Sequence, residues 1–251
     1  MNRIAGLLVS ASLLVLVTGC SSFIDPVPKN IYMVKKYNAG NKDNETSIPG
    51  GMLSVATIKS IGLSAVEKYF GNTLSPDNAQ IEVSAVDLNA LKELVEHDIR
   101  PDDKLDAEAK LKKVPEGLFY LTISSANNER YALVLNAGSG DVLKISNETQ
   151  TGVEGIDDPG DRTGSFNPEV SYKFLQEKEA LNPKDFRVDR GMFIEAKEAA
   201  YYYFISMEDN SLKYLIEVDL TKNKVKGFSK DIMALLTWNG KVFAKLPIKQ
   251  E

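Results

Sequence analysis

One segment of this chain recurs 83 positions later. LFYLTISSANNERYALVLNAGSGDVLKIS (118–146) aligns without a gap on YYYFISMEDNSLKYLIEVDLTKNKVKGFS (201–229). Tyr120 meets Tyr203, Asn127 meets Asn210, Tyr131 meets Tyr214, Val142 meets Val225 and Ser146 meets Ser229. The alternation is shared as well: Tyr131, Leu133 and Leu135 fall where Tyr214, Ile216 and Val218 fall. Successive side chains of a strand point to opposite faces, so each trio lies on one face. In the first copy the breaks, SANNE and AGSG, are short and polar. Apolar alternation between such breaks constrains each copy to three antiparallel strands joined by hairpins.

The likeness extends upstream with small gaps. KYFGNTLSPDNAQIEV (68–83) resembles KFLQEKEALNPKDFRV (173–188). In the first copy Ile58, Ile61, Ala65, Val66, Tyr69 and Phe70 form one helical stripe, and Gly71 stops it. A short strand with Ile81, Val83 and Ala85 on one face follows. In the second copy Asn167 reads as a helix cap, with Pro168 at the first helical position. Residues 88–113 read as a helical insertion in two pieces, one capped by Asp87 and one begun by Pro101. At the end, Asn239-Gly240 between ALLTW and KVFAKL reads as a type I′ hairpin, with Trp238 packing across it. The expected fold class is α+β: two tandem small units, each an antiparallel meander with a helix packed on one face. The first unit is expected over 52–148 and the second over 169–251. The Gly- and Pro-rich stretch 149–168 between them reads as a linker.

Each unit resembles the PepSY domain family. The resemblance is carried by the helix leading into a small sheet, the Tyr-rich strand, the hairpin, and the endings VLNAGSGDVLKI (134–145) and VDLTKNKVKGF (218–228). It covers about two thirds of the chain after the leader. The family's ending has Asp, a small residue, Thr and Gly before a polar residue and a valine. Asn136-Ala137-Gly138-Ser139-Gly140 departs slightly, and Asp219-Leu220-Thr221-Lys222-Asn223 lacks the glycine. The resemblance implies extracytoplasmic protein binding or peptidase inhibition rather than catalysis.

The N-terminus supplies an address. Met1-Asn2-Arg3 is a short positive start, and Ile4 to Val17 is apolar apart from Gly6, Ser10 and Ser12. That run is short of the roughly 20 residues a membrane span needs and suits a signal peptide. It ends Val17-Thr18-Gly19-Cys20, and Cys20 is the one cysteine of the chain. This sequence resembles the bacterial lipobox. The resemblance implies a signal peptide over 1–19, a diacylglycerol thioether on Cys20, and a lipidated N-terminus and tether over 20–51. The protein is then a palmitate-bearing lipoprotein on the extracytoplasmic face of the cell membrane, or of the outer membrane where a bacterium has two. Each buried methylene of such an anchor contributes about 0.8 kcal/mol, and two or more chains hold stably.

Composition narrows the partners. The chain carries 30 Lys and Arg against 35 Asp and Glu, and losing the leader removes only the positive Arg3. A net acidic chain argues against nucleic acid, whose phosphates need a basic face. With no cysteine beyond Cys20, each unit must be held by its apolar core. No cofactor or metal is expected. His97 is the single histidine, which argues against the usual zinc sites and His-dependent triads. It sits near a helix C-terminus, where the dipole favours positive charge. Asp102-Asp103 and Asp157-Asp158 are adjacent carboxylates beside prolines, and adjacent residues point apart. DDPGDRTG (157–164) breaks the calcium-loop template at Pro159, Gly160 and Arg162. Gly138-Ser139-Gly140 leads into a strand, as a hairpin turn does and a phosphate loop does not.

Tyr201, Tyr202, Tyr203 and Phe204 put aromatics on both faces of one strand. One helix covers one face, so the other is a candidate surface for a partner. The expected function is a membrane-anchored envelope module that binds, inhibits or chaperones a protein. A glycan- or small-ligand-binding lipoprotein using the same strand is the alternative, and a carboxylate-dependent hydrolase is the weaker rival.

Overall fold

The computed structural model describes residues 51–149, 168–189, 193–194 and 199–239. Cys20, Asn167, Asp157 and Asp158 lie outside the described residues. So does the 149–168 linker, apart from Thr149 and Pro168.

The chain alternates helix and strand as its apolar pattern dictates. Helix α1 (Val55–Phe70) begins where Ser54 Oγ accepts the Thr57 N–H at 3.1 Å. It ends where Gly71, at φ 76°, turns its N–H to the Glu67 carbonyl. A 3-10 turn (Pro76–Asn78) leads into β1 (Ala79–Ala85). The insertion forms α2 (Leu88–Asp98), capped by Asp87, and α3 (Lys104–Leu111). Strands β2 (Leu118–Ser125), β3 (Arg130–Asn136) and β4 (Val142–Asn147) complete the first half. The second half runs α4 (Glu169–Glu179), a 3-10 turn (Pro183–Asp185), β5 (Phe186–Asp189), β6 (Phe193–Ile194), β7 (Ala199–Ser206), β8 (Leu212–Asp219), β9 (Lys224–Lys230) and α5 (Asp231–Trp238). Pro168 stands at the N-cap of α4, not at its first helical position.

The fold is α+β with an antiparallel sheet. Its strand order is β1-β2-β3-β4-β9-β8-β7-β5, and β6 also pairs with β7. The sequence suggests one sheet per half; in the structure the two meanders join edge to edge through β4 and β9. Lys144 faces Ser229, Ile145 faces Phe228 and Ser146 faces Gly227. The 83-residue offset carries Lys144 to Gly227, Ile145 to Phe228 and Ser146 to Ser229. Every junction pair therefore maps onto a junction pair, with Ile145–Phe228 at the centre. A surface that contacts its own copy this way has the geometry of an isologous two-fold interface. Gly227 permits the approach, since a Cβ there would stand 3.0 Å from the Ile145 carbonyl oxygen.

The offset does not hold everywhere. The first hairpin closes between Ser125 and Glu129 and the second between Ser206 and Ser211, one residue longer. A register shift at Phe204/Ile205 absorbs the difference. The matching left-handed turn residues are Asn128 (φ 61°) and Asn210 (φ 55°), not Asn127 and Asn210.

Both faces of the sheet are covered. On one face, residues of α1 and α4 pack with Leu133, Leu135, Ile145, Ile216 and Phe228. Tyr69, Phe174 and Phe228 bring rings from both halves together, with Tyr69–Phe228 at 4.7 Å and Phe174–Phe228 at 5.9 Å. On the other face, α2, α3 and α5 pack on Leu118, Val134, Leu143, Tyr201 and Tyr203. The expected single helical cover is thus corrected to two. The expected C-terminal hairpin is corrected over its first arm. Ile232 to Leu236 are buried all round on a helix, and a short continuous apolar run cannot be told from a strand by period. Trp238 ends that helix, edge-on to Tyr203 at 4.3 Å and beneath Arg100 at 5.3 Å.

Candidate functional site

The aromatic strand is core. Tyr201, Tyr202, Tyr203 and Phe204 are 1–5% exposed. Tyr202 and Phe204 face α1 and α4, and Tyr201 and Tyr203 face the second helical layer. The expected exposed aromatic surface does not exist, because the insertion and α5 occupy it. His97 is exposed in the last turn of α2. Asp102 is exposed, and Asp103 accepts from Asn239 Nδ2 at 3.3 Å, tying the insertion to the end of α5. Gly138-Ser139-Gly140 is a hairpin turn: Asn136 Oδ1 accepts the Gly138 and Ser139 N–H groups, and Gly140 takes φ 78°. Among the described residues no group of three or more His, Cys, Asp or Glu is placed to hold a metal.

A site emerges where the halves differ. Their turns superpose in bonding: the Ala126 N–H donates to the Asn78 carbonyl at 3.2 Å, and the Met207 N–H to the Asp185 carbonyl at 2.9 Å. In the first half this corner is closed. Tyr131 is fully buried. Phe70 stacks on it at 5.6 Å, and Asn72 Nδ2 donates to its hydroxyl at 2.6 Å. In the second half α4 runs on to Glu179, and only Ala180–Asn182 lead into the next turn. Tyr214 is half-buried there, and its ring partner is Phe186, edge-on at 5.9 Å. Phe186 opens β5 where Ala79 opens β1, and Met207, 63% exposed, takes the place of Ala126. These changes frame a cleft of about 620 Å³, lined by Ala180–Asn182, Lys184–Phe186, Ser206–Glu208, Lys213, Tyr214 and Asp231.

A polar cluster stands directly behind it. Glu179 accepts from the Tyr69 hydroxyl, from Lys68 Nζ at 3.1 Å and from Lys230 Nζ at 3.0 Å, and its side chain is 8% exposed. Burial pushes its carboxyl up, but the Tyr69 hydrogen bond and the two lysines outweigh that and hold it below the usual carboxylate range. Tyr214 is pushed up to about 12, first by burial and then by the negative charges of Glu179 and Asp231. Asp231 holds a left-handed backbone at φ 51° and lies 3.4 Å from Lys113 Nζ. Lys213 is engaged by Asp209 at 2.7 Å. That bond, with those from Ser211, draws the exposed Asp209 carboxyl well below its ordinary range.

Tyr131 and Tyr214 align as equivalent positions in the sequence. The first is core and the second is cleft. The signal that separates them is in the flanks, where Asn72 has no counterpart and Ala79 and Ala126 are replaced by Phe186 and Met207.

Among the described residues, fold and site together define an α+β protein with an antiparallel sheet and a mixed apolar and acidic cleft at one corner. No family model matches the chain, and no curated protein matches it. Among solved structures it is similar to the C-terminal domain of YpeB from Bacillus megaterium, with 14% sequence identity and a TM-score of 0.42 over 75% of this chain and 67% of that one.

Proposed function

We propose that this chain is a lipid-anchored, extracytoplasmic binding module of the bacterial envelope. In this reading two PepSY-like units, fused edge to edge, hold or inhibit a partner protein at the corner cleft. The lipobox-like Val17-Thr18-Gly19-Cys20 supports the anchor. One observation carries the binding reading: the internal symmetry is broken at the cleft. The first half shows that this corner can be sealed by a stacked ring and a hydrogen bond. The second half instead opens it and leaves Met207 exposed at its rim. Flexible, polarizable methionine suits adaptable recognition surfaces.

The test is a photo-cross-linking amino acid placed at Met207 in the native envelope, with the same probe at exposed Leu105 as control. A discrete adduct from position 207 and none from 105 is expected. No adduct specific to 207 refutes the binding reading.

A further inference from the structure

We infer that the cleft receives a basic peptide segment, with an apolar anchor side chain on Met207, Phe186 and Tyr214 and a neighbouring lysine or arginine beside Asp231 and Glu208. The inference rests on the binding reading above and adds the chemistry of the occupant.

The apolar part follows from the substitutions that distinguish the two halves. Phe186 and Met207 replace two alanines and stand with Tyr214 around the same opening. An apolar side chain entering there trades water for two rings and a thioether.

The basic part follows from the charges. Three carboxylates line the cleft, Asp185, Glu208 and Asp231, against two lysines. Lys213 is already neutralised by Asp209; Lys184, exposed like Asp185 and Glu208, offsets one carboxylate and leaves the balance acidic. Asp231 has Lys113 at 3.4 Å, but that lysine is 62% exposed, so solvent screens the pair. The remaining field is negative over an aromatic floor, which favours a cation.

The peptide form follows from the sheet. Phe186 begins β5, the outermost strand, which pairs only with β7 among the described residues. An extended backbone can pair along such an edge while its side chain enters the cleft.

The test uses fluorescence anisotropy on the mature chain with labelled Lys-Leu-Phe-Leu-Lys and its twin Glu-Leu-Phe-Leu-Glu. The basic peptide should bind at least about tenfold more tightly. Met207→Ala should weaken it about fivefold or more, as truncating an anchor does. Asp231→Asn keeps a residue that tolerates the left-handed backbone and should weaken binding about two- to fivefold, an effect that shrinks in high salt. Tyr131→Phe, in the closed corner, should leave affinity unchanged. Both cleft variants should keep the parent's circular dichroism, so that lost binding is not lost fold. Equal binding of the twin, no binding of either peptide, or parental affinity in both cleft variants overturns the inference. If the peptides fail while position 207 still cross-links a partner, the basic-peptide inference falls and the binding reading stands.

Discussion

Replacing Phe228 with alanine asks whether the two halves unfold as one body. Phe228 is 1% exposed and sits opposite Ile145, at the centre of the two-fold junction. Its ring touches Tyr69 from the first half and Phe174 from the second. Removing a buried phenyl ring costs about 3–5 kcal/mol, through lost transfer energy and the cavity left behind. A domain has only about 5–15 kcal/mol in total. With a urea slope of about 2 kcal/mol per molar, the midpoint should fall by about 1.5–2.5 M. Two probes report on different parts. Trp238 fluorescence follows the end of α5 against Tyr203, and far-ultraviolet circular dichroism follows the whole sheet. Because rings from both halves share one cluster, the two curves should coincide in parent and variant and shift together. If the Trp238 curve moves while part of the circular dichroism transition stays put, the halves are independent and the shared-core reasoning is wrong. A midpoint shift under about 0.5 M would show that the ring is not packed as described.

Two further outcomes concern Glu179 and Cys20. Glu179 has a folded pKa below its ordinary 4.5. Its contribution to stability is therefore complete above that value and lost as pH falls through the lowered folded value. Glu179→Gln should flatten this acid limb in pH-dependent melts and cost about 1–3 kcal/mol at neutral pH, since Lys230, 19% exposed, loses its carboxylate; an unchanged acid limb would refute the role. Cys20→Ala should leave the protein out of the membrane fraction or as an unprocessed precursor, and labelled palmitate in that variant would contradict the proposed anchor.

The meanders were legible because their signal is local. Alternation at Tyr131, Leu133 and Leu135 and again at Tyr214, Ile216 and Val218 needs no knowledge of the rest of the chain. The junction was half legible. The offset of 83 marks which residues correspond, but not that Ile145 and Phe228 would face each other. The second helical layer was hidden for a different reason. Strand β3 is buried on both faces from Tyr131 on, yet an unbroken apolar run from Tyr131 to Leu135 says only that something covers it. Ile232 to Leu236 could equally be a strand, and nothing local marks the left-handed step at Asp231 that starts a helix there. That missing layer is why Tyr201 to Phe204 read as a surface. The cleft was illegible from either half alone, since it is defined by a contrast: Phe70 stacks on Tyr131 and Asn72 bonds its hydroxyl, whereas Tyr214 meets Phe186 edge-on beside the opening.

The self-matching junction bears on how the chain is made. During synthesis β4 emerges with an open edge, and its complement β9 arrives only some 80 residues later. Closing that span costs little more than closing half of it, because loop entropy grows by about 0.6 kcal/mol per doubling. The hazard lies elsewhere, since an open strand edge is a template for any matching strand. The nascent β4 of one molecule offers a neighbour's β9 the same register and the same Gly227 clearance as its own. Two chains made side by side can therefore exchange halves and close as an intertwined pair, and local chain concentration decides how often they do.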